Sequence, residues 1–289
     1  MSACVDPDAE RRNGFARRWA VEAAFADIDA ARESGPYDVV SVCSPTALHA
    51  AHLNAALALR PRLIFCEKPV TSEMAATAQI VSACKEAGVL LAVNHTRRWS
   101  PDIVQLRDEL ASGRWGAVRA AHGAYNKGVL NNGSHMIDLL QFLLGPLTLQ
   151  AAGAPIWDFW DDDPTVPAIL SSASGAVVTL GSAHAADYAL FELSIVTQHG
   201  VVTMEDGGAS WRRRSCVDSV TFPGYKVLDR GNWHSGTYDR AMLAAITEIH
   251  DAISTGKPLA STGESAAITQ ELCAAIKSAA LAHTRQREM

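Results

Sequence analysis

Among its 20 glycines this 289-residue sequence has no Gly-x-Gly pair, and among its six cysteines it has no Cys-x-x-Cys spacing. The first absence removes the glycine turn that lets a backbone close on a phosphate group. The second argues against a zinc ribbon or a paired redox thiol. Cys4, Cys43, Cys66, Cys84, Cys216 and Cys273 are instead scattered, several inside apolar runs where a thiol behaves as a small hydrophobe. No basic run is longer than Arg212 to Arg214, and the net charge is −6, which argues against nucleic acid and against an anionic membrane surface. No apolar stretch reaches spanning length, and the opening Met-Ser-Ala-Cys-Val-Asp-Pro-Asp has neither a basic nor an apolar leader region. No Gly-x-Ser-x-Gly elbow marks a hydrolase nucleophile. These absences lead to the expectation of a soluble, reduced, cytoplasmic protein.

What is present is an ordinary globular composition, 48% hydrophobic and 19% charged, on a chain long enough for two domains or one large one. The chain organises around Leu63-Ile64-Phe65-Cys66-Glu67-Lys68-Pro69. Four consecutive apolar residues ended by a breaker read as a strand buried on both faces of a parallel sheet. Ligands of open α/β sheets sit beyond the carboxyl ends of such strands, which is where Lys68 falls. The plain alternative is a lysine in a solvated turn. Residues 39–43 and 89–93 are further apolar strands, ending in Ser44-Pro45-Thr46-Ala47-Leu48-His49 and Asn94-His95-Thr96-Arg97-Arg98. Residues 2–5 form a short strand before Asp6-Pro7-Asp8, with Asp6 able to cap a helix over 8–20. Further helices are expected at about 27–34, from His49 to about Leu59, and at 71–87. Strand and helix alternating at this spacing predict a parallel, doubly wound sheet with three polar strand ends on one rim.

After residue 100 the pattern changes. A helix over 102–112 and a strand over 116–126 precede Gly133-Ser134-His135-Met136-Ile137-Asp138, which opens an amphipathic helix ending at Gly145-Pro146. From 147 to 228 alternation and β-branching predict a mostly antiparallel sheet, and helices at about 238–255 and 264–283 close the chain. The acidic run Asp161-Asp162-Asp163 reads as a solvated loop. The fold class is therefore α/β, a truncated Rossmann-like parallel sheet over residues 1–100 followed by an α+β domain with a large sheet over 101–289.

Asp6-Pro7-Asp8 after a strand, Ser44-Pro45-Thr46 with His49, Glu67-Lys68-Pro69 and Gly133-Ser134-His135-Met136-Ile137-Asp138, together with the closing helices, resemble the Gfo/Idh/MocA family over essentially the whole length. The resemblance implies a Rossmann domain, an α/β substrate domain whose open sheet commonly forms the dimer interface, and NAD(P)-dependent oxidation or reduction of a sugar, sugar acid or cyclitol. The family's opening strand and glycine turn have no counterpart here: the sequence starts at the second strand, so roughly 30 residues are expected to be missing. Three explanations compete. The recorded start lies downstream of the true one, or residues 2–5 have moved into the vacated lane, or the fold persists in another role.

The resemblance implies that Lys68 contacts substrate oxygen and the nicotinamide ribose, and that His135 is the acid/base. Their residue types suit this, since desolvation lowers a lysine's pKa and imidazole titrates near neutral pH. Asn131 stands where the family often has an aspartate; an amide takes no proton, so it would orient substrate. Asp6 would accept bonds from adenine-ribose hydroxyls, favouring NAD over NADP, or would only cap a helix. Ser44, Pro45 and His49 would line the nicotinamide side or form an ordinary turn. Glu67 would position Lys68, while Asn94 and Arg98 would meet the cofactor amide or an acidic substrate group, unless Arg98 pairs with a nearby carboxylate. For His135 the plain alternative is a bond to Asp138. No metal is expected, since His49/His52 and His135/Asp138 do not assemble three ligands. The partners expected are NAD or NADP, a small sugar-like molecule, and copies of the chain in a homodimer or homotetramer. The second functional reading is a non-redox sugar-binding or regulatory homologue that has lost the dinucleotide.

Overall fold

The computed structural model describes residues 1–287. The chain divides into two compact units. The first comprises Met1–Asn94 with Glu248–Ala267, and the second His95–Thr247 with the residues from Ile268 onward.

The first unit opens with strand β1 (Ala3–Val5), helix α1 (Ala9–Trp19) and strand β2 (Ala23–Phe25). Strand β3 (Val39–Val42), helix α2 (His49–Ala58), strand β4 (Leu63–Cys66), helix α3 (Met74–Glu86) and strand β5 (Leu90–Val93) follow. Strands β3, β4 and β5 pair in parallel in that order, with Val40 opposite Ile64 and Ile64 opposite Leu91. All four residues of β4 are buried, the outcome required of a central parallel strand covered on both faces. Strand β1 pairs with β2 as a separate parallel ribbon and does not enter the β3–β4–β5 sheet, so residues 2–5 have not moved into a lane beside β3.

Two local expectations are corrected. The helix cap is Asp8, whose carboxylate accepts the N–H groups of Glu10 and Arg11 at 2.9 and 3.0 Å, while Asp6 accepts the N–H of Asp8 at 2.8 Å. Both residues suit a cap by type, and the extended backbone of Asp8 decides between them. Residues 27–34 form no α-helix; a single 3₁₀ turn, Arg32–Ser34, is what Gly35-Pro36 leaves room for.

The second unit holds helix α4 (Pro101–Ala111), strand β6 (Val118–Tyr125), a π-helical turn over Gly128–Asn132 and helix α5 (Gly133–Leu144). Strands β7 (Leu147–Ala152), β8 (Ala168–Ser172), β9 (Val177–Ser182), β10 (Phe191–Thr197), β11 (Gly200–Glu205), β12 (Ser210–Asp218), β13 (Lys226–Leu228) and β14 (Asn232–Ser235) complete a nine-stranded sheet. Its order is β13-β12-β11-β10-β6-β9-β8-β7 with β14 also on β12, and every pairing except the parallel β6–β9 is antiparallel. Period-two burial along β10 and β11 puts Leu193, Ile195, Val202 and Met204 on a face shared with Met136, Ile137 and Leu140 of α5. The contact is close: a Cβ on Gly123 of β6 would lie 2.7 Å from the Met136 sulfur. That packing fixes α5, and with it the mouth where His135 sits. Helices α6 (Ala241–Thr255) and α7 (Gly263–Arg287) close the chain. Among the described residues no helix is long and apolar enough to cross a membrane.

Candidate functional site

In the first unit the polar residues beyond β3, β4 and β5 are knitted to one another. The half-buried Lys68 follows β4 and precedes a cis peptide to Pro69. Asn94, past the end of β5, donates to Glu67 Oε1 at 2.7 Å, coupling the neighbouring strand ends. His49 is almost wholly buried, with ring nitrogens 2.8 Å from the carbonyl oxygens of Ser44 and Pro69. It buckles the turn after β3 to the turn after β4. His52 reaches the Ser44 hydroxyl at 2.9 Å, while Pro45 stands exposed in that turn. Burial pushes the Cys66 thiol up to about 12, with Cys43, Glu67 and Cys84 adding to it, so this strand-end sulfur is not a nucleophile.

In the second unit His135 and Asn131 line a cavity of about 470 Å³ at the end of the sheet where β6 and β11 finish and β10 begins. Lys127, Leu190, Phe191, Glu192 and Asp206 share its wall. The turn carrying Asn131 is held by Asp163, whose carboxylate accepts the N–H of Leu130 at 2.9 Å and of Asn131 at 2.8 Å. Burial raises the Asp163 pKa against the lowering effect of those two N–H groups. Asp163 is thus a buried anchor, 6% exposed, and the reading of the acidic run as solvated holds only for Asp161 and Asp162. Nothing in three successive aspartates marks the third; the sole sequence signal was its place just before the buried Pro164-Thr165-Val166.

Behind His135 lies a buried charge network. Asp138, one turn along α5, receives Arg98 Nε at 3.0 and 2.9 Å and the Thr269 hydroxyl at 3.1 Å. His95 Nδ1 stands 3.8 Å from the same carboxylate, and its ring meets that of His135 edge-on, centroids 5.8 Å apart. Arg98 therefore serves the pairing that was its plain alternative, at a carboxylate rather than at solvent. His95 was within the polar stretch after β5, but its relation to His135 arises from residues forty apart. The Arg97 guanidinium carbon lies over Phe191, 3.6 Å from the ring centroid, and 5.1 Å from that of Tyr238. Burial pushes its guanidinium pKa down. Burial, aided by Glu205 and Asp206, pushes the Glu192 carboxyl up. Among the described residues no group of three or more His, Cys, Asp or Glu could hold a metal ion.

An imidazole, an amide, an ammonium and two carboxylates around one cavity can bind a polyhydroxylated molecule and exchange a proton with it. Comparison with known proteins bears on which chemistry this is. Residues 1–95 match the model of an oxidoreductase family with an NAD-binding Rossmann fold. An inositol 2-dehydrogenase of Rhizobium meliloti is 26% identical over 258 residues, covering 82% of this chain and 76% of its own length. A D-apiose dehydrogenase of Paraburkholderia graminis is also 26% identical, over 68% of this chain and 58% of its own. The match to an uncharacterized oxidoreductase of Bacillus subtilis is 29% identical and spans 40% of this chain and 34% of that protein. Two solved structures share the fold at 18% identity, each covering 97% of this chain and 88% of its own: levoglucosan dehydrogenase in complex with NADH and levoglucosan, TM-score 0.81, and an oxidoreductase from Agrobacterium radiobacter in complex with NAD+, L-tartaric acid and magnesium, TM-score 0.80. With a Rossmann-type parallel sheet, a large second-unit sheet and the His135 helix on its inner face, this chain is similar to the Gfo/Idh/MocA oxidoreductases, whose NAD-binding Rossmann model matches residues 1–95.

Proposed function

We propose that the chain interconverts a hydroxyl and a carbonyl on a sugar, sugar acid or cyclitol, using NAD or NADP. The observation that carries this is the sharing of one cavity by His135 and Asn131. The nicotinamide, when bound, supplies the hydride acceptor or donor. His135 takes the hydroxyl proton as the carbonyl forms and returns it in the reverse direction. Asn131, whose amide takes no proton, orients the substrate by hydrogen bonds; its NH₂ group donates to the Lys127 carbonyl at 3.2 Å while Asp163 clamps its backbone N–H. Asp138, with Arg98 and His95, holds the polar floor beneath His135. Lys68, half-buried just after β4, is proposed to meet the nicotinamide ribose.

The residues fit one end of a dinucleotide. Ser44, Pro45, Glu67 and Asn94 offer the polar strand ends that a nicotinamide and its ribose need, with buried His49 bracing the turns behind them, and Asp6, beyond β1, suits a ribose hydroxyl pair. For the pyrophosphate no Gly-x-Gly turn exists among the 289 residues. That observation favours a second reading, a sugar-binding or regulatory homologue that does not hold the dinucleotide. Calorimetric titration with NADH separates them: micromolar binding supports the enzyme, and no saturation at millimolar NADH supports the binding protein. In the enzyme, His135→Asn lowers turnover of a polyol by about 10²–10⁴-fold with the fold intact, and unchanged turnover refutes the role of His135.

The sheet face turned away from α5 carries Ala120, Ala124, Thr179, Ser194 and Val196, all small or β-branched, with His122 among them. Covering it with a second copy gives the proposed homodimer or homotetramer, tested by light scattering on the eluted protein. The proposed compartment is the cytoplasm, consistent with six cysteines that form no disulfide among the described residues.

A further inference from the structure

The loop between β7 and β8 leaves three large aromatic side chains in water: Trp157, Phe159 and Trp160 are 51, 54 and 46% exposed. Contiguous apolar surface of this kind on a soluble chain marks a binding surface more often than chance placement. The loop is not loose. Ile156 and Thr165 exchange both backbone hydrogen bonds at 2.8 and 2.9 Å, closing it at its base. Inside it, Asp158 accepts the N–H of Lys127 and of Ala185, each at 3.1 Å, and the Thr165 hydroxyl at 2.8 Å. Phe159 and Trp160 meet edge to face, centroids 4.9 Å apart, so together they present a built ledge.

This ledge meets the cavity of His135 through Lys127. Lys127 lines that cavity, and its ammonium stands 5.3 Å from the centroid of the Phe159 ring. Two classes of molecule stack on aromatic rings: the C–H face of a sugar ring, and a nucleobase. A nucleobase attached to a sugar arrives with a diphosphate. The carboxylates of Glu192 and Asp206 in the cavity wall, and of Asp161 and Asp162 exposed beside Trp160, oppose such an anion, while among the described residues Lys127 is the one ammonium or guanidinium lining the cavity, Arg97 being engaged on Phe191. An uncharged ring meets neither obstacle.

We propose that the substrate is an uncharged glycoside of at least two rings, its reacting ring in the cavity with His135 and Asn131 and its next ring stacked on Phe159 and Trp160. This rests on the oxidoreductase reading for the reacting ring, and it adds a second subsite and a charge preference. A single ring fills only the cavity, so the ledge contributes only when a second ring is attached.

The test is isothermal calorimetry on the whole chain, with and without NADH, using D-glucose and myo-inositol as one-ring probes. Cellobiose and maltose are the neutral two-ring probes, and UDP-glucose is the charged one. The better of the two disaccharides binds about tenfold tighter than D-glucose, a difference of about 1.4 kcal/mol. The double variant Phe159→Ala, Trp160→Ala removes that advantage and leaves D-glucose binding and the melting temperature unchanged, since both side chains are exposed. Disaccharide also shields tryptophan fluorescence from acrylamide in the wild type, and less so in Trp157→Phe, Trp160→Phe. Disaccharides no tighter than D-glucose, an advantage that survives in the double variant, or UDP-glucose tighter than either disaccharide overturns the proposal. In those cases polyol turnover still stands on its own. If no probe binds and no polyol is turned over, the oxidoreductase reading falls, and this inference with it.

Discussion

The substitution Asp138→Asn keeps the shape of a side chain that is 1% exposed and removes its charge. In the native protein that carboxylate receives Arg98 Nε at 2.9 and 3.0 Å and the Thr269 hydroxyl at 3.1 Å, and Arg98 is itself only 9% exposed. The variant leaves a guanidinium buried without its counter-charge, and an amide that must turn an NH₂ group toward one of two donors. Breaking a buried pair by removing one partner costs about 3–5 kcal/mol, mostly the desolvation of the charge left behind. At roughly 2–4 °C per kcal/mol for a chain of this size, the melting temperature falls on the order of 10 °C. Thr269→Val, which takes away one neutral donor, costs about 1 kcal/mol on the same scale. The paired replacement Arg98→Met with Asp138→Leu recovers most of the loss, because no charge then needs compensation. Urea unfolding followed by circular dichroism measures all three. An Asp138→Asn variant within about 1 kcal/mol of wild type, or a paired variant no better than the single one, would refute the reasoning.

Gly128 has φ +87°, and a Cβ there would lie close against the Asp163 carboxylate that clamps the Asn131 turn. Gly128→Ala therefore loses at least the about 1–3 kcal/mol of backbone strain and lowers saccharide affinity, read by melting and calorimetry together. Burial would raise the Glu109 pKa, but hydrogen bonds from Trp115 and Gln105 and the charges of Arg213 and Arg114 outweigh it and hold the carboxyl below its usual 4.5. A depressed carboxyl stabilises the fold above the unfolded pKa and loses that contribution as pH falls through the folded one. Glu109→Gln is accordingly less stable by about 2 kcal/mol near neutral pH, and its deficit shrinks as both proteins are acidified below 4.5. Iodoacetamide on the native protein alkylates the exposed Cys216 and spares Cys66, whose thiol is buried and pushed up to about 12; mass spectrometry of the peptides reads this directly.

Local pattern was enough for the elements that sit where the physics is one-dimensional. A strand covered on both faces must be apolar at every position, so Leu63–Cys66 declared itself, and with it the place of Glu67 and Lys68 at a strand end. Period-two burial did the same for Phe191–Thr197 and Gly200–Glu205, and the 3.6-residue stripe of Met136, Ile137, Leu140 and Leu143 for the helix that His135 opens. Tertiary structure decided whatever depends on partners distant in the chain. Asp138 meets Arg98 and Thr269 across 40 and 131 residues, and no spacing rule links them. Asp163 differs from Asp161 and Asp162 only in what folds over it. Asp8 rather than Asp6 caps α1 because one backbone is extended at the right point, a choice two neighbouring aspartates leave open. Residues 248–267 pack with the first unit although they follow the second-unit sheet, since α7 offers Ala266 to a core that the intervening sequence does not announce. Residue type and period fix which faces must be buried; only the folded chain fixes what buries them.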